Sequence, residues 1–97
     1  MTDEIKSFYD KAYRTVSSVV GVPDMFSSNR EESVDARSIL VHILSGRGLT
    51  DSQISSFTGL PRQCVNKLKN SVRHRSGKWS YRSFMQQISN ELATESF

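Results

Sequence analysis

Apolar side chains recur every three or four positions through most of this chain, the spacing of helices that each bury one side. Between Asp3 and about Val20, the residues Ile5, Phe8, Tyr9, Ala12, Val16, Val19 and Val20 fall on one stripe. A first helix is expected there, stopped by Gly21. Pro23 to Asn29 read as a connection whose Met25 and Phe26 enter the core. A second helix is expected from about 31 to 45, buried through Val34, Ile39, Leu40, Ile43 and Leu44 and ended by Gly46 and Gly48.

Thr50-Asp51-Ser52-Gln53 carries the reciprocal cap of a helix start, in which the threonine hydroxyl accepts from the backbone of Gln53 and the glutamine reaches back to Thr50. It opens a short helix over about 50–58, with Ile54 and Phe57 inward and Gly59 free to take a positive φ at its end. Pro61 suits the first turn of the next helix, expected over 61–74. Two helices joined through about three residues centred on a glycine form a helix-turn-helix pattern, whose second helix commonly enters the major groove of DNA. A fifth helix is expected over 80–93, capped by Ser80 and buried through Tyr81, Phe84, Met85, Ile88 and Leu92. The fold class expected is therefore all-α, one compact bundle of about five helices containing a helix-turn-helix.

Charge sharpens the picture. Net charge is only +3, but residues 1–51 hold six basic and eight acidic side chains, whereas residues 52–90 hold seven basic and none acidic. Such a segment repels itself, and its natural counterpart is a polyanion. In the fourth helix, at roughly 100° per residue, Cys64, Val65, Leu68 and Val72 share one side. Arg62, Gln63, Asn66, Lys67, Asn70 and Arg73 share the other, a face of amides and cations only. Asn and Gln pair with adenine edges and Arg with guanine, while Lys mostly meets phosphate. Arg62, Gln63, Asn66 and Asn70 are the expected base readers. Thr50, Lys67, Lys69, Arg73, Arg75 and Lys78 are the expected phosphate contacts, the stretch from His74 to Lys78 being read as a loop along the backbone.

Other chemistry finds little support. At 97 residues and 11.0 kDa the chain is one domain. No apolar run approaches the roughly 20 residues of a membrane span, and the acidic opening Thr2-Asp3-Glu4 is unlike a secretion signal, so a cytoplasmic setting is expected. One cysteine and two histidines offer no metal cluster, and no cofactor is expected. Cys64 is read as core packing, His42 as a buried or boundary histidine of the second helix, and His74 as a phosphate neighbour. Trp79 and Tyr81, beside Lys78 and Arg82, are read as buried anchors, with stacking on bases the alternative. No nucleophile motif or phosphate loop occurs, so no catalytic residue and no small-molecule substrate is expected. The expected partner is double-stranded DNA. The alternative is an interaction module of the same fold that binds an acidic protein or a second copy of itself.

The run Val34-Asp35-Ala36-Arg37-Ser38-Ile39, followed by Leu49-Thr50, Ile54, Phe57-Thr58-Gly59 and Val65, resembles the C-terminal DNA-binding domain of the bacterial chromosomal replication initiator DnaA. The likeness extends upstream through Thr15-Val16-Ser17-Ser18-Val19-Val20-Gly21-Val22 and Asp24-Met25-Phe26-Ser27-Ser28, and covers roughly Ala12 to Leu92. It implies a helix-turn-helix fold of the Trp-repressor and DnaA C-terminal kind, duplex binding in replication initiation or transcription regulation, and a protein partner in one of those processes. The resemblance also implies a connector residue that reaches the minor groove, here Asn29 or its neighbour Arg30. The family opens its recognition helix with Arg-Asp-His-Ser/Thr-Thr-Val, where this chain has Leu60-Pro61-Arg62-Gln63-Cys64-Val65. Arg62 and Gln63 take the readers' places, so a different target sequence is expected. The initiator's ATPase module has no counterpart here. The chain is expected to be a stand-alone relative, as in a phage or mobile element, or else one excised domain, and to be nucleoid-associated.

Overall fold

Five helices form where the apolar spacing places them. The computed structural model describes residues 3–28 and 30–94, as α1 (Asp3–Val20), α2 (Glu31–Gly46), α3 (Asp51–Thr58), α4 (Arg62–Arg75) and α5 (Trp79–Thr94). No strand occurs among the described residues. The boundaries follow local chemistry. Gly21 takes φ 79° and its N–H closes on the Ser17 carbonyl, ending α1. Thr50 and Gln53 exchange the two hydrogen bonds of the reciprocal cap, at 3.2 and 2.9 Å. Two starts differ from expectation. Pro61 stands just before α4, as its N-cap, and α5 begins at Trp79, so Ser80 lies inside the first turn and does not cap it.

The core is built around α2, which packs against α1, α3 and α4, while α5 closes on α1. A helix covered on several sides buries more than one stripe. Ser33, Asp35 and Ser38 are accordingly buried with Ala36, Ile39, Leu40, Val41 and Leu44, whereas Val34 and Ile43, expected inside, are half-buried. The α1 stripe holds, with Phe8, Ala12 and Val16 fully inside and Tyr9 stacked on Phe57 at 5.0 Å. Burial pushes the Tyr9 phenol up to about 12, with the neighbouring Tyr13 and Asp10 acting in the same direction. Met25 is buried, and Phe26 packs against the core.

Buried polar groups on α2 need partners, because an unpaired one costs roughly 1–3 kcal/mol. The Ser38 hydroxyl meets the Tyr81 hydroxyl at 2.9 Å and that of Ser71 at 3.2 Å, which joins α2, α4 and α5 at one point. Asp35 receives Arg75 at 2.6 Å and Lys78 at 2.9 Å. These contacts hold the buried side of α4 against α2 and so leave its opposite side facing outward.

Candidate nucleic-acid interface

The α3–α4 corner is pinned by its own small side chains. Gly59, at φ 79°, donates to the Ser55 carbonyl, the Leu60 N–H donates to the Thr58 hydroxyl, and the Ser55 hydroxyl donates to the Leu60 carbonyl. A Cβ at Gly59 would meet no atom, so its requirement is the left-handed backbone alone. Across the corner, Lys69 binds Asp51 at 2.8 Å and the Arg62 guanidinium reaches the Ser52 hydroxyl at 3.4 Å. Leu68 and Val65 face the core, and Cys64 and Val72 pack against it half-buried.

That anchoring leaves Arg62, Gln63, Asn66, Lys67, Asn70 and Arg73 all exposed along about 20 Å of helix. The four expected base readers therefore stand on one outward face. Asn70 donates its amide to the Asn66 carbonyl oxygen at 2.7 Å, so the two hold each other in register and each keeps a second polar group for a ligand. Lys67 and Arg73 have no carboxylate partner among the described residues. Exposed Thr50 accepts from Gln53 and retains its hydroxyl proton.

Three expected phosphate contacts sit differently. Lys69 is on Asp51, Arg75 is on Asp35, and Lys78 is on both Asp35 and Glu31. His74 and Arg75 belong to α4, so the turn is only residues 76–78. The Lys78 ammonium holds the Glu31 carboxyl below its ordinary value, first through the hydrogen bond and then through charge, and the hydrogen bonds it donates to Glu31 and Asp35 raise Lys78 in turn. These cations fasten helices together, whereas Lys67 and Arg73 do not. Arg30 is exposed at the start of α2, 3.6 Å from Glu32, and Asn29 lies outside the described residues.

Two residues depart from the sequence reading. His42 is exposed and lines a cleft with Lys69, Asn70, Val72 and Arg73, between α2 and the outward face of α4. Its place on α2, directly before half-buried Ile43 and buried Leu44, hid this, because only packing tells which side of a nearly surrounded helix stays open. Trp79 is 75% exposed, and only its neighbour Tyr81 is the buried anchor. The signal was available, since Trp79 is out of step with the Tyr81, Ile88 and Leu92 stripe of α5.

The arrangement suits recognition more than bond-making: guanidinium and amide groups on a protruding helix, set on a rigid corner. Among the described residues no three of His, Cys, Asp and Glu come together as a metal site needs, and no helix is long and apolar enough to cross a membrane. In comparison with known proteins, no family model, curated protein or solved structure matches the chain.

Proposed function

We propose that this protein is a non-catalytic, DnaA C-terminal-like helix-turn-helix protein that binds double-stranded DNA, with α4 lying in the major groove, in replication initiation or transcription regulation. One observation carries the reading: the outward side of α4 holds six exposed polar residues with no acid among them, opposite a side locked into the core. A helix of this width fits the roughly 12 Å major groove. Arg62, Gln63, Asn66 and Asn70 read base edges, while Lys67, Arg73 and the Thr50 hydroxyl meet phosphate. His42, across the cleft from Arg73, faces the same backbone. Arg30 stands at the start of α2 as the candidate for the minor groove, with Asn29 beside it in sequence. The place of action that follows is the nucleoid in the cytoplasm.

Selection of bound sequences from a random duplex pool tests the reading, followed by titration of the winner against a scrambled duplex at several salt concentrations. The expected result is a preferred sequence whose affinity exceeds the scrambled control and falls with salt for both. Recovery of no sequence preference, together with tight binding of an acidic protein in place of duplexes, overturns it.

A further inference from the structure

The exposed face of α5 carries a second arrangement that the duplex reading does not use. Trp79, Arg82, Ser83 and Gln86 stand at positions i, i+3, i+4 and i+7 of the helix, all exposed, and together line one shallow groove. Trp79 is the one large hydrophobic residue among the described residues left so open to water. An indole so placed retains most of the apolar area whose burial would be favourable. Its three neighbours in the groove are a cation, a hydroxyl and an amide. A docking face for an apolar peptide helix would repeat apolar groups at these spacings, as the core side of α5 does. What this groove complements is a flat ring with hydrogen-bonding edges, attached to negative charge. Arg82 has no carboxylate partner among the described residues, and no acid occurs anywhere from residue 52 to residue 90. Lys78, next to Trp79, is already held by Glu31 and Asp35.

We propose that Trp79, Arg82, Ser83 and Gln86 form a site for an unpaired nucleotide of a single-stranded nucleic acid. The base stacks on the Trp79 indole, the adjoining phosphate meets the Arg82 guanidinium, and Ser83 and Gln86 bond the sugar or the base edge. Inside a duplex each base is covered on both faces by its neighbours, so the indole takes a base only from an open strand. The site shares no residue with the outward face of α4 and stands or falls separately from duplex binding.

Trp79 is the only tryptophan, so the emission of the full chain, excited where its tyrosines do not absorb, reports on this site alone. Titration with an oligothymidylate at low salt is expected to quench it saturably, with quenching weakened by added salt and by Arg82→Ala. With the same oligonucleotide labelled and followed by anisotropy, Trp79→Ala is expected to lose about 5- to 150-fold in affinity, and Trp79→Phe to recover part of it. Circular dichroism of both variants checks that the fold is kept. Blunt-ended duplexes without unpaired bases are expected to leave the emission unchanged and to bind Trp79→Ala as they bind the parent. Absence of quenching by oligothymidylate overturns the site whether or not duplexes bind. Equal quenching by these fully paired duplexes overturns its single-strand character. A blue shift that grows with protein concentration alone overturns it in favour of self-association through the indole.

Discussion

The basic charge of residues 52–90 divides between two regions that look alike in composition. On the outward face of α4, Arg62, Lys67 and Arg73 stand exposed without a carboxylate beside them. At the end of the same helix and in the turn after it, Arg75 and Lys78 close on Asp35, whose side chain is 5% exposed, and Lys78 also holds Glu31. Lys69 does the same for Asp51 at the other end of the corner. The first group is open to a ligand. The second neutralises acids that α2 and α3 contribute to the interior and its rim, and it keeps the outward face pointing outward. A segregated charge therefore does not by itself give the count of available cations, which depends on where the acids of the first half of the chain are folded to.

The comparison breaks most visibly at Asp35. Replacing both partners, as Arg75→Met with Lys78→Met, strands a buried carboxylate and is expected to cost about 3–5 kcal/mol in urea unfolding. A loss within the scatter of surface substitutions would mean that these cations are as available as Lys67. On the other region, Asn66→Ala or Asn70→Ala is expected to leave urea stability nearly unchanged and to reduce discrimination between the selected and scrambled duplexes by about 1–3 kcal/mol.

Salt dependence separates the groups further. Six phosphate contacts would give a slope of log affinity on log salt of about −5, and two or three would give about −2 to −3. The shallower slope is expected here. Lys67→Ala or Arg73→Ala should each flatten it by about 0.9, while Lys69→Met should not. The smallest effect concerns pH. The folded Glu31 carboxyl lies below its ordinary value of 4.5, so the stability it contributes is present above that pH and is lost as pH falls through the folded value. Lys78 lies above 10.5, so its share is present below that pH and is lost as pH rises through its raised value. Glu31→Gln is expected to flatten the acid limb of stability against pH slightly, since Glu31 is exposed, and to leave duplex binding alone.

Much of the fold was legible because its signals are local. A reciprocal cap acts across three residues, a positive-φ glycine acts on itself, and a buried stripe repeats within a single helix. The α1 stripe, the Thr50 cap, the Gly59 turn and the outward set on α4 could all be read this way. What escaped involved neighbours distant in the chain. Lys69 meets Asp51 18 residues away, Arg75 meets Asp35 40 residues away, and Lys78 meets Asp35 43 residues away. Ser33, Asp35 and Ser38 are absent from the side expected to be buried, since nothing nearby in the chain announces that α4 and α5 will cover that helix. Trp79 looked like core, since bulk and hydrophobicity alone point inward for most tryptophans.

Sequence by itself determined the five helices, the Thr50 cap, the Gly59 turn and the acid-free side of α4, because periodicity and capping operate over one or two turns. Only the tertiary structure decided which cations stay free and that His42 joins the rim of the α4 face. Those outcomes depend on which side of α2 each neighbour covers, and burial and charge pairing are properties of surfaces brought together from distant parts of the chain.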